Sequence, residues 1–170
     1  MQLSGLGDKN ASLRVYIANR PDFADIKTLD RVRPVKQTEI SDIGNQCGNG
    51  WRKVFNVYAK LLYALNDPRW CNNKDFDSWQ QFRDTQLLQK GSDTSLLFSP
   101  RTTDKAGELH LIMGRTYAKS SSLPENLYWE NDEFAICNKS KLIVCPYFDY
   151  RQLSNQKIVY LVELIRGLSR

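Results

Sequence analysis

The stretch Leu13-Arg14-Val15-Tyr16-Ile17-Ala18, which runs into Asn19-Arg20-Pro21, decides the reading of the fold. Leu13, Val15 and Ile17 share one parity, and the segment is rich in β-branched and aromatic residues. It therefore predicts a first strand that ends at the proline turn. Residues 22–37 carry several charges, Pro34 and little periodicity, and read as a long connection of the kind that often carries function.

Further on, Thr38 is expected to cap a short helical turn through Ile40 and Ile43, which Gly44, Gly48 and Gly50 then interrupt. Trp51, Val54, Phe55, Tyr58, Leu61, Leu62 and Leu65 recur at spacings of three and four. They predict an amphipathic helix over 51–65, with Asn49 as its cap and Arg52, Lys53, Asn56 and Lys60 on the outer face. Asn66-Asp67-Pro68 ends it. A weaker stripe of Phe76, Trp79, Phe82 and Leu87 predicts a second helix that starts at Asp75 or Asp77 and stops by Gly91.

Short buried strands are expected over 95–98 and 109–113, separated by a polar loop over 101–107. Residues 118–132 read as irregular structure or a short helix, with Leu127, Tyr128 and Trp129 covering the core. Segments 134–137 and 141–145 flank Asn138-Lys139-Ser140 and predict a hairpin. Ser154 caps a terminal helix whose Ile158, Leu161, Val162, Ile165 and Leu168 share a side. Strands separated by helical or long connections predict an α/β fold, a mainly parallel central sheet flanked by helices with one antiparallel hairpin, in a single domain over 1–170.

Composition narrows the class. A hydrophobic fraction of 41% with 25% charged residues is that of a globular chain. No apolar run approaches the roughly 20 residues of a membrane span, and the polar N-terminus lacks the apolar core of a secretory signal. Cys47, Cys71, Cys137 and Cys145 form no C-x-x-C pair and are read as reduced, in keeping with a cytoplasmic protein. A single histidine, His110, sits in an expected strand and reads as structural, so neither a metal site nor a cofactor is expected. The net charge of +5 favours anionic partners.

Ligands of open α/β sheets bind beyond the carboxyl ends of the strands. Each expected strand exit carries an arginine: Arg20, Arg101, Arg115 and Arg151. Nearby stand Phe23, Tyr117, Tyr147, Phe148 and Tyr150. Guanidinium groups clamp phosphates and aromatic rings stack on bases, so a rim of this composition suits a nucleotide or a single nucleic-acid strand. The glycine-rich 44–50 segment lacks the Lys and Ser/Thr of a phosphate loop and reads as a turn. Cys145, at the last strand's end, is a candidate nucleophile, although a strand-end cysteine is more often buried. Asp22 and Asp149 are candidates for a carboxylate pair, and more readily for salt bridges to Arg20 and Arg151.

The order of three short motifs resembles the uracil-DNA glycosylase superfamily. Ile17-Ala18-Asn19-Arg20-Pro21 is similar to that family's first-strand loop G-x-N-P-G. Met113-Gly114-Arg115-Thr116-Tyr117-Ala118 resembles its L-G-x-x-A, and Cys145-Pro146-Tyr147 its final H-P-S or N-P-S loop. The resemblance implies that Asn19 positions a hydrolytic water and that the loop from Cys145 grips DNA. This chain lacks the first-loop glycines, and Cys145 and Tyr147 stand where that family has histidine or asparagine and serine. The function expected is therefore nucleotide or nucleic-acid binding, as a divergent or inactive glycosylase-like domain. The alternatives are a non-catalytic protein-interaction domain and a small-molecule enzyme that uses Cys145 or Asp22 with Asp149.

Overall fold

The structure is a computed structural model that describes residues 2–102 and 108–168. The loop expected over 101–107 falls largely outside them. Along the chain come β1 (Gly5–Gly7), β2 (Leu13–Tyr16), a 3-10 turn at Ala24–Thr28, β3 (Val32–Arg33), α1 (Glu39–Cys47) and α2 (Asn49–Leu65). Next are α3 (Trp79–Thr85), β4 (Thr94–Leu97), β5 (Leu109–Met113), α4 (Arg115–Lys119) and β6 (Tyr128–Trp129). β7 (Ala135–Cys137), β8 (Leu142–Cys145) and α5 (Asn155–Leu168) complete the chain.

All the strands join one mixed α/β sheet in the order β3-β1-β4-β2-β5-β8-β7-β6. Its centre, β4-β2-β5-β8, is parallel throughout, in a register that sets Val15 beside Leu96 and Leu111. The expected hairpin is there as β7 and β8, antiparallel, and β6 extends it. A further antiparallel pair, β1 with β4, has no counterpart in the sequence expectations. Gly5-Leu6-Gly7 shows no alternation, and its glycines serve a close approach. A Cβ on Gly7 would stand 2.2 Å from the Thr94 carbonyl oxygen, at a φ of +115°.

The two sheet faces differ. Leu13, Val15, Leu96, Leu111 and Ile143 turn to the face covered by α1, α2, α3 and α5, where Phe55, Tyr58, Leu62, Leu161 and Ile165 complete the core. Tyr58 in α2 also donates to the Ser95 carbonyl of β4, at 2.9 Å. Tyr16, Leu97, Ile112 and Val144 turn to the opposite face, beneath α4 and Trp129. That second face also carries buried polar groups. Arg14 stands 3.2 Å from Glu108, and Tyr16 Oη lies 2.8 Å from His110 Nδ1.

Local signals explain most element ends, with corrections. Ser78 caps α3 by accepting from the Gln81 amide, and Ser154 does the same for the Lys157 amide of α5. Asn49 is not a cap: α2 begins on it, Gly48 is the cap residue at φ +96°, and the Asn49 side chain accepts from Arg52. Thr38 does precede α1, but in a left-handed conformation, with its hydroxyl on Asp42 rather than on a backbone amide. Gly91 lies beyond the end of α3, in the turn before β4. Asn56, expected outside, is buried because it donates to Tyr150 Oη at 2.7 Å and accepts from Arg83 at 2.6 Å.

Candidate functional site

The order of the central strands creates the site. After β2 the chain crosses the helical face through α1, α2 and α3 before it returns as β4. After β5 it leaves over the opposite face through α4 before it returns as β8. β2 and β5 are neighbours, so their carboxyl ends part there, at the kind of switch point where open α/β sheets form a crevice. A cleft of about 610 Å³ occupies that position. Such a volume suits a small organic ligand.

Each central strand exit but that of β4 contributes to it. Ala18 and Asn19 come from β2, the segment Met113 to Tyr117 from β5, and Pro146 and Tyr147 from β8. Gly114 makes the turn into α4 at φ +93°, where a side chain would be strained, and its amide donates to the Cys145 carbonyl at 2.7 Å. Asn19 and Tyr147 line the cleft from two different strand exits, with the Asn19 side chain placed to favour the charged form of the Tyr147 phenol. Burial pushes the Tyr147 phenol up, with the Asn19 side chain acting against the shift, and burial alone raises Tyr117. Both rings are therefore neutral hydrogen-bonding groups at neutral pH.

The far wall is acidic. Asp132, Glu133 and Gln152 line the cleft, and no motif or periodicity in the sequence points to them. The run Glu130-Asn131-Asp132-Glu133 is their only visible trace, and it folds back to the strand exits through β6 and β7. Arg115 donates to the Asp132 carbonyl at 2.9 Å and to its carboxylate at 3.3 Å, with its guanidinium 5.0 Å from the Trp129 ring centre. Lys157 pairs with Glu133 at 2.7 Å. The lining thus holds one arginine against two carboxylates.

Of the residues expected on the ligand rim, Asn19, Arg115, Tyr117 and Tyr147 line this cleft and the others stand elsewhere. Arg20 donates to the Ile26 and Leu29 carbonyls and lies over the Phe98 ring, so it is a structural tether. Phe23 packs against the helical core. Arg101 donates to the Ser122 carbonyl at 3.3 Å. Arg151 is exposed beyond the cleft, and Tyr150 lies in a separate groove.

The catalytic candidates other than Asn19 separate as well. Cys145 is fully buried, its sulfur 3.8 Å from the Ile112 carbonyl, and burial pushes its thiol up to about 12. A thiol so placed is inert. Asp22 is exposed, 4.0 Å from Lys27, whereas Asp149 stands 3.7 Å from Lys53. The salt bridges expected for this pair are made, but to lysines rather than to Arg20 and Arg151. Among the described residues no cluster of His, Cys, Asp or Glu is placed to hold a metal ion, and no helix is long and apolar enough to cross a membrane.

The architecture and its cleft define an α/β protein with a ligand-sized crevice at a switch point of the sheet. The chain belongs to the Family of unknown function (DUF6942), whose model matches residues 4–166. No curated protein and no solved structure matches it.

Proposed function

We propose that the cleft at the ends of β2, β5 and β8 binds the base of a nucleotide or of a single nucleic-acid strand. The observation that carries this reading is the meeting of Asn19 and Tyr147 in a crevice at the switch point. An amide supplies both a donor and an acceptor for a base edge, and tyrosine rings supply stacking surface. With Arg115 paired to Asp132 and Lys157 to Glu133, the cleft has no surplus of cations, which favours a neutral heterocycle over a cluster of phosphates.

The reading is of a binding protein. The sulfur of Cys145 is buried against the Ile112 carbonyl, so we assign it no catalytic step, and the Asn19 amide is read as a base contact rather than as a catalytic group. The motif order that resembles the uracil-DNA glycosylase superfamily supports reading the chain as a divergent or inactive glycosylase-like domain. A cytoplasmic location belongs to the same reading, and the four cysteines are all free thiols.

Calorimetric titration with the common mononucleotides tests it. Tyr147→Ala is expected to weaken binding by about 1 to 3 kcal/mol, the worth of one stacked base. A folded wild-type protein that binds none of them at low salt removes the reading and puts the protein-interaction alternative first.

A further inference from the structure

A second site adjoins the cleft across the loop that joins β8 to α5. Pro146, Tyr147 and Gln152 of that loop line the cleft, whereas Tyr150, Leu153 and Ser154 line a groove of about 310 Å³ with Val57 and Lys60 of α2. The loop is thus a ridge between two concavities. On the groove side the surface interleaves cations and rings. Lys60 Nζ lies 4.8 Å from the Tyr150 ring centre and 5.1 Å from that of Trp79. Lys53 Nζ is 5.9 Å from Tyr150, and the Arg83 guanidinium is 5.4 Å from Trp79. Asn56 joins the two ends, donating to Tyr150 Oη and accepting from Arg83.

Two carboxylates face this array: Asp149 near Lys53 at 3.7 Å, and Asp84 at 2.8 Å from Arg83. Lys60 makes no ion pair among the described residues, and aromatic faces hold it instead. An ammonium held by rings keeps its three donors for another acceptor. Lys53 and Lys60 lie seven residues apart on α2, about 10 Å along the helix at 1.5 Å per residue. A row of cations over that length fits a chain of phosphates better than one phosphate, and interleaved rings suit bases rather than acidic side chains.

We propose that this groove binds the phosphodiester backbone of single-stranded nucleic acid whose base occupies the cleft, so that the ligand is a strand rather than a free nucleotide. The inference rests on the base-binding reading of the cleft. Lys60 is its central contact, with Lys53 beside it over the same Tyr150 ring.

The test is fluorescence anisotropy of a labelled twelve-residue oligothymidylate over a salt series, set beside calorimetry with a mononucleotide. The proteins are the wild type, Lys53→Gln, Lys60→Gln and Tyr147→Ala, each checked for unchanged thermal unfolding. Lys60→Gln and Lys53→Gln are each expected to weaken oligonucleotide binding several-fold. Each should also reduce the slope of log K against log salt by about 0.7, one phosphate of a single strand, and leave mononucleotide affinity unchanged. Tyr147→Ala is expected to weaken both ligands with the salt slope retained.

An oligonucleotide affinity and slope indifferent to both lysine substitutions overturns the groove and leaves the cleft. Oligonucleotide binding that needs Lys60 but not Tyr147, with no mononucleotide binding, overturns the cleft reading and the shared-ligand inference with it. Displacement of the oligonucleotide from the groove by polyglutamate at equal charge concentration also overturns the inference, in favour of an acidic peptide partner.

Discussion

Tyr16 Oη and His110 Nδ1 lie 2.8 Å apart inside the sheet, with neither residue more than 1% exposed. They project from neighbouring parallel strands onto the face opposite α2. In the tautomer that carries its proton on Nε2, toward Glu108 at 3.6 Å, Nδ1 accepts from the Tyr16 hydroxyl. Burial, with the charges of Arg101 and Arg14 adding to it, lowers His110 to about 4. The Glu108 carboxylate works against this shift, and Arg14 at 3.2 Å offsets it.

Stability should therefore depend on pH through this residue. An unfolded histidine takes up a proton below about 6.5, whereas the folded one stays neutral down to about 4, so the unfolded chain binds more protons in that window. The stability that neutral His110 contributes is full above pH 6.5 and is lost as pH falls to 4, by up to about 3 kcal/mol at 1.36 kcal/mol per unit. Urea unfolding of wild type and His110→Gln at pH 7 and pH 4.5 checks it. The wild type should lose more stability between the two than the variant, and equal losses would contradict the assignment.

Phe55 is fully buried and packs beside Trp51, with ring centres 6.1 Å apart. Phe55→Ala is expected to cost about 3 to 5 kcal/mol, the transfer and cavity terms together. A loss below about 1 kcal/mol in urea unfolding would mean that α2 does not anchor the core.

Arg33 joins the long connection to α1. Its guanidinium meets Glu39 through two bonds, at 2.8 and 2.9 Å, and Asp25 through two more. Glu39 is buried and Asp25 is half in water. Glu39→Ala should therefore cost about 3 kcal/mol, because it leaves a buried charge short of a partner. Asp25→Ala should cost about 1 kcal/mol or less. Thermal unfolding of the two variants should show that order, and the reverse order would refute it.

Only Cys47 has a partly exposed thiol, and burial raises it, with Asp22 adding to the shift. Cys71 is pushed up to about 11 and Cys145 to about 12 by burial. Alkylation of the native protein, quenched rapidly and read by mass spectrometry, should label Cys47 first and the other three only on unfolding. A stoichiometric bridge between Cys137 and Cys145 would contradict both this order and a reducing compartment.

Much of the fold is legible in the sequence because it arises from periodicity. The parity of Leu13, Val15 and Ile17 and the stripes of α2 and α5 each present one apolar face, and that pattern needs no tertiary knowledge. β1 is illegible because Gly5 and Gly7 owe their place to the backbone of β4, a long-range contact without a local signal. Asn56 and Arg14 break the rule that polar residues face outward, since each is buried with partners far away in sequence. The site is legible in its location, at the strand exits. Its composition is not, because arginine at an exit does not say whether the side chain faces the cleft, as Arg115 does, or binds nearby carbonyls, as Arg20 does. The acidic wall lies on a segment without periodicity, so only the chain's return through β6 and β7 brings it there.

The most direct test of the account is backbone amide chemical-shift mapping of the labelled protein as a mononucleotide is added at low salt. Perturbations should centre on Asn19, on residues 114–117 and on Tyr147, saturate with a single affinity, and need markedly more ligand to saturate in Tyr147→Ala with its fold intact. Perturbations confined to other surfaces, or none at all from any mononucleotide, would contradict the cleft as the binding site.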